Sequence, residues 1–323
     1  MSTRHLVDPA LAPLVAHEFL PGLSRENLSD ARTFVTQMIS SIAGKSTATR
    51  KETRIPGPAG APEVRLVMQF PAETGMPRPA VLFMHGGGMV MGDASMGEGF
   101  DGALALEHGA VVISVDYRLA PETPFPGPIE DCYAALLWVH ANAATLGIDP
   151  SRIVIMGPSA GGGLAASLAQ LTRDAGGPRP AAQILIYPML DARTGSHDAQ
   201  ELNATTGEFA WTRAHNRFGW ESLRGDYVPT DARAGHFSAS LGKNVSNLPP
   251  AFIAVGSLDL FYDESVEYAR RLSRAGVLTE LHCYPGAIHG FDAVPTAWMS
   301  LSLKRTVHDA LARAFRAPAD HSQ

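Results

Sequence analysis

Ile153-Val154-Ile155-Met156-Gly157-Pro158-Ser159-Ala160-Gly161-Gly162-Gly163 is the stretch that decides the fold. Its first four residues are apolar and suit a strand buried on both faces; past Gly163, Leu164, Leu168 and Leu171 recur at helical spacing. A serine between glycines therefore sits where a strand reverses into a helix, the context in which G-x-S-x-G forms a nucleophile elbow. Glycines are needed there because the reversal is so sharp that flanking side chains would collide, and the serine is held in a strained conformation with its hydroxyl exposed. The alternative reading is a glycine-rich turn carrying an incidental serine.

Outward from this stretch, apolar runs alternate with helical patterns, which predicts an α/β fold with a mostly parallel central sheet flanked by helices. Ala80–Met84, Val111–Val115, Ile153–Met156, Ile184–Tyr187 and Ala251–Val255 read as buried parallel strands. Val64, Leu66, Met68 and Phe70 alternate with other residues, as in a half-exposed edge strand. Helices are expected over Ile129 to Asn142 and at Leu303, Val307 and Leu311. Residues 1–50 look helical. Residues 192–245 are polar, show no clear strand, and cluster Phe209, Trp211, Phe218 and Trp220. These two segments are expected to form a cap, because open α/β sheets bind ligands at the carboxyl ends of their strands.

With 323 residues, 45% of them hydrophobic, the chain suits one large domain with an appendage. A net charge of −6 and the lack of a Lys/Arg cluster argue against a nucleic-acid partner and leave a small molecule. Cys132 and Cys283, far apart and within apolar segments, read as reduced core residues, which points weakly to a cytoplasmic setting. Asp8, Pro9 and Pro13 interrupt the N-terminus, and no stretch reaches the ~18 apolar residues of a membrane span, so neither a leader nor a membrane partner is expected.

A second glycine cluster, His85-Gly86-Gly87-Gly88, follows the apolar run Ala80–Met84. Such a loop can aim backbone N–H groups at a developing oxyanion, each worth about 3 kcal/mol when removed singly. Its spacing is neither of the phosphate-cradling patterns, and His85 itself reads as a residue that orders the loop. The weakly nucleophilic Ser159 hydroxyl needs a base, and the base needs an orienting acceptor. Of twelve histidines, His289 has the right setting, after the strand-like Glu280–Tyr284 and the turn Pro285-Gly286-Ala287. Asp259 follows Ala251–Val255 and the turn Gly256-Ser257-Leu258. Asp263 and Glu264 are rival carboxylates, read as helix-capping residues at the start of a helix over Glu264–Arg274.

These motifs resemble the hormone-sensitive-lipase-like family of bacterial carboxylesterases, in the α/β-hydrolase superfamily. The resemblance rests on His85-Gly86-Gly87-Gly88 with Gly92-Asp93, Asp116-Tyr117-Arg118-Leu119-Ala120-Pro121-Glu122 with Pro124-Phe125-Pro126, and the elbow. It continues through Tyr187-Pro188, Leu190-Asp191, Gly256-Ser257-Leu258-Asp259 with Asp263-Glu264, and His289-Gly290-Phe291, in the family's order over about two-thirds of the chain. It implies a helical cap over residues 1–50 and a catalytic domain over 51–323 with a cap insertion near 192–245. It further implies hydrolysis of short- to medium-chain acyl esters without cofactor or metal, through Ser159, His289 and Asp259, with Gly87, Gly88 and Ala160 as the oxyanion hole. Many members pair through an edge strand or helix, which leaves a homodimer open.

One departure stands out: Pro158 occupies a position usually held by aspartate or another polar residue. Proline fixes φ and removes an N–H, so it should stiffen the turn and alter substrate range or pH optimum without abolishing activity. The competing readings are an amidase, lactonase or deacetylase on the same site, and a ligand-binding receptor on a hydrolase scaffold. The second is disfavoured by the presence of His289.

Overall fold

The computed structural model describes residues 2–16, 20–72, 77–196 and 203–316. At its centre is an eight-stranded sheet in the order β1-β2-β4-β3-β5-β6-β7-β8. Its strands are β1 (Thr49–Ile55), β2 (Val64–Phe70), β3 (Arg78–Met84), β4 (Val111–Asp116), β5 (Ile148–Pro158), β6 (Ala182–Ile186), β7 (Ala251–Gly256) and β8 (Thr279–Tyr284). β2 pairs antiparallel with β1 and β4, and every pairing from β4 to β8 is parallel. The helices among the described residues are α1 (Ala12–Val15), α2 (Leu28–Ala43), α3 (Glu98–His108), α4 (Gly127–Ala141), α5 (Ala143–Leu146), α6 (Ala160–Asp174), α7 (Arg213–Arg224), α8 (Ala234–Phe237), α9 (Tyr262–Arg274) and α10 (Trp298–Ala314).

The parallel strands are apolar throughout because helices cover both faces of the sheet. Successive side chains point to opposite sides. Leu82, Ile113, Ile155, Leu185 and Ile253 pack with Leu136 of α4, Leu168 of α6 and Leu272 of α9. Their neighbours Val81, Val112, Val154, Ile184 and Phe252 pack with Ala105 of α3 and with Leu303, Val307 and Leu311 of α10. Ser159, Asp259 and His289 follow β5, β7 and β8, so all three stand at the carboxyl edge of the sheet.

The structure corrects two of the expectations above. Val64–Phe70 is not an edge strand: β2 is largely buried, and the edge is β1, whose sequence Thr-Arg-Lys-Glu-Thr-Arg-Ile is mostly exposed and shows no apolar alternation. Arg65 of β2 is paired across the sheet to Glu52 of β1 and Asp116 of β4. Cys283 is exposed on β8 rather than in the core; Cys132 is buried as expected, and both are free thiols. Of the segments expected to form a cap, residues 1, 17–19 and 197–202 lie outside the described residues. Among the described residues no helix is long and apolar enough to cross a membrane.

Candidate active site

Ser159 joins β5 to α6 with φ 56° and ψ −123°. That is a left-handed backbone for a residue with a Cβ, and costs on the order of 1–3 kcal/mol. The surroundings hold it there. Its N–H donates to the Ile186 carbonyl at 2.8 Å, and its carbonyl accepts from Gly163 and Met189, each at 3.0 Å. Glycine at 161 is obligatory, since a Cβ would stand 2.0 Å from the Met84 carbonyl oxygen at the end of β3. The elbow is thus wedged against the neighbouring strand, and Ser159 is 7% exposed.

His289 is brought to Ser159 from the loop after β8, with Nε2 at 3.0 Å from Oγ. Its Nδ1 lies 2.8 Å from Asp259 Oδ2. An ionised carboxylate only accepts, so Nδ1 carries the hydrogen and Nε2 presents a lone pair to the serine hydroxyl. Asp259 is fully buried, and its second oxygen accepts from Phe261 N–H at 2.9 Å. The imidazole is boxed by aromatic rings, with Tyr187 and Phe261 edge-on at 4.8 and 5.1 Å and Trp211 at 6.4 Å between centroids.

The loop after β3 runs beside the elbow: a Cβ on Gly86 would lie 3.5 Å from Ser159 Cβ. Gly87 and Gly88 have φ of 114° and 63°, and the Gly87 carbonyl turns away to accept from Val90 and Met91. Ala160 opens α6, where the N–H groups of a helix have no partner within it. His85 orders this loop, as expected. It stacks on Tyr117 at 4.1 Å and bonds the Gly86 carbonyl through Nδ1, and burial pushes its pKa down, so it stays neutral. Trp211 closes over Gly88, where any Cβ would meet the indole at 2.3 Å.

Other motif residues brace the site. Arg118 grips the buried Asp131 with Nε and Nη2, both at 2.8 Å. Arg32 of α2 reaches Glu122 and the Val90 and Ala120 carbonyls, fastening α2 to the loop. The two rivals of Asp259 separate: Asp263 is exposed, whereas Glu264 is buried and accepts from Leu190 N–H at 2.6 Å, Asp191 N–H at 3.3 Å and the Thr194 hydroxyl. Burial raises the Glu264 pKa well above the usual carboxylate range. Its helix-capping reading is therefore incomplete, because this carboxylate caps the turn after β6.

A cavity of about 380 Å³ opens beside Ser159 and His289. Val35, Met38, Ile39 and Ile42 of α2 line it, together with Trp211 and Tyr187. Two lining carboxyls escaped the sequence reading. Asp292 accepts from Tyr187 Oη at 2.8 Å, and burial raises its pKa. Asp101 accepts from Ser114 Oγ at 2.6 Å. Among the described residues, Glu107, His108 and His308 have donor atoms within 4.8 Å of one another, close enough to ligate a metal. They lie between α3 and α10 and outside this cavity.

Residues 81–293 match a family model described as alpha/beta hydrolase fold. Carboxylesterase NlhH of Mycobacterium tuberculosis H37Rv is 38% identical over 276 residues, 80% of this chain and 83% of that protein. Ethyl acetate hydrolase of Pseudomonas putida is 35% identical over 213 residues, 66% of this chain and 65% of the other. Among solved structures, a bacterial heroin esterase superposes with a TM-score of 0.89 at 37% identity, covering 98% of this chain and all of that one.

Proposed function

This chain belongs to the α/β-hydrolase fold family, as a carboxylic ester hydrolase of its hormone-sensitive-lipase-like branch, and from that premise we propose that it cleaves short- to medium-chain acyl esters through an acyl-enzyme on Ser159. The observation that carries this is His289, which bridges Ser159 and the buried Asp259 at 3.0 and 2.8 Å.

Ser159 Oγ attacks the ester carbonyl carbon while its proton passes to His289 Nε2. The carbonyl electrons become an oxyanion, held by the N–H groups of Gly87, Gly88 and Ala160, whose positive-φ loop and helix start present donors with no reorganisation. Collapse expels the alcohol, which takes the proton from Nε2 and leaves the acyl group on Oγ. Water then attacks the acyl carbon, giving its proton to Nε2, and the second collapse releases the acid and returns the proton to Ser159. Asp259 holds the tautomer through both halves, with Phe261 N–H fixing the carboxylate.

The cap is assigned to residues 1–50 with the insertion near 192–245, supported by α2 and Trp211 in the cavity wall. A largely apolar cavity of about 380 Å³ suits an acyl chain beyond acetyl without demanding a long one. The name carboxylesterase NlhH supports an ester as substrate, and the name ethyl acetate hydrolase a small one.

The test is hydrolysis of p-nitrophenyl esters from acetyl to hexadecanoyl by the purified protein beside Ser159→Ala. Turnover that peaks at short or medium chains and vanishes in the variant is expected. Equal turnover in the variant would remove Ser159 from the mechanism, and no turnover on any chain would end the esterase assignment.

A further inference from the structure

Resting on the esterase reading, the structure assigns a cation-binding subsite to Asp101, at the end of the cavity beneath α3, and a substrate class to go with it: esters that carry a protonated amine remote from the scissile carbonyl. Asp101 is 3% exposed and lines the cavity. Only one of its oxygens is used, Oδ2 by the Ser114 hydroxyl at 2.6 Å. Oδ1 takes no hydrogen bond among the described residues. Tying α3 to β4 would need one acceptor, which a neutral side chain supplies at lower desolvation cost; a buried carboxyl in a cavity wall is expensive unless it keeps its proton or meets something cationic.

The electrostatics of the wall point the same way. Asp93, Asp101 and Asp292 all line the cavity, and neither lysine nor arginine does so among the described residues. Burial pushes the Asp101 carboxyl up to about 7, the Ser114 hydroxyl opposes that shift, and Glu98 adds to it. An entering ammonium would stabilise the charged form, whereas an anionic ester would meet three carboxyls and no counter-charge.

The sheet fixes the length of the ligand. Ser114 pairs with Phe83, and Phe83 with Met156, so Ser114 stands two strands from β5, roughly 10 Å sideways. Ser159 lies three residues past Met156, up to about 10 Å further along the strand direction, so the two serines are roughly 14 Å apart. A chain of at least octyl length is therefore needed to reach from the serine towards Asp101, with the amine at the far end and methylenes along the apolar wall between.

The test is calorimetric titration of the full-length protein with octylammonium chloride and, separately, with 1-octanol, an uncharged probe of the same length. The expected result is that wild type binds the ammonium at least about tenfold more tightly, and that Asp101→Asn erases the preference while still unfolding in one cooperative transition. Equal affinities in wild type overturn the assignment without need of any variant. A preference that survives Asp101→Asn and disappears in Asp292→Asn moves the cation to the other carboxyl and also overturns it. Because binding is read without turnover, a protein that prefers the ammonium yet hydrolyses nothing refutes the esterase reading alone, and one that hydrolyses esters without the preference refutes this inference alone.

Discussion

Replacing Asp259 by asparagine isolates what the carboxylate does, because the change is nearly isosteric and the environment dictates how the amide must lie. Phe261 N–H points at Oδ1 from 2.9 Å. The amide oxygen must take that bond, since the flipped orientation would set two donors against each other in a fully buried site, at about 1–3 kcal/mol. The amide nitrogen is then directed at His289 Nδ1, now 2.8 Å from Oδ2. Nδ1 has to become the acceptor, so the hydrogen moves to Nε2 and points at Ser159 Oγ, and the imidazole can no longer take the serine proton. A wrong tautomer of this kind costs about 10⁴-fold in kcat, or about 5 kcal/mol on the barrier. The assay is kcat/KM on p-nitrophenyl butyrate with thermal unfolding followed in parallel, and Asp263→Asn as the control, because Asp263 is an exposed carboxylate on the same segment. A loss under about tenfold in a folded Asp259→Asn protein, or an equal loss in Asp263→Asn, would refute the reasoning.

Two further outcomes follow from individual residues. Asp101 prefers its proton more strongly when folded, at about 7 against an ordinary 3.8, so the folded chain binds the extra proton and stability falls as pH rises between those values. Asp101→Asn does not titrate; urea unfolding should show it gaining on wild type from pH 4 to 8, by up to the order of 4 kcal/mol, and a constant gap would mean the carboxyl is not buried as described. Pro158 is partly buried, lines the cavity and pairs with Ile186 in the sheet, so Pro158→Asp should change kcat/KM by less than about tenfold while shifting acyl-length preference; a gain of several orders of magnitude would mark the native elbow as crippled.

Much of the candidate site was legible because its residues stand in recognisable local runs. Each of Ser159, Asp259 and His289 follows a strand and a short glycine-containing turn, and the apolar strands announce themselves because both faces are covered. β1 left no such mark. An edge strand exposed along most of its length needs no apolar alternation, so only its pairing with β2 reveals it. Val64–Phe70 was mistaken for the edge for the same reason: Arg65 looks solvent-facing until Glu52 and Asp116 are set beside it. Glu264 was read from its helix alone, whereas its work is done on backbone atoms more than seventy residues earlier.

The sequence by itself determined the layered α/β architecture and the chain order of the candidate site residues Ser159, Asp259 and His289, since these depend on periodicity, turn chemistry and motif spacing. Only the tertiary structure decided which carboxylate meets His289, that α2 and Trp211 wall the cavity, and that Asp101 lies within it facing Ser114. Those outcomes depend on which distant surfaces are pressed together and deprived of water. Burial, which governs both the hydrogen bonds and the charge of such groups, is a property of the assembled layers and of no single segment.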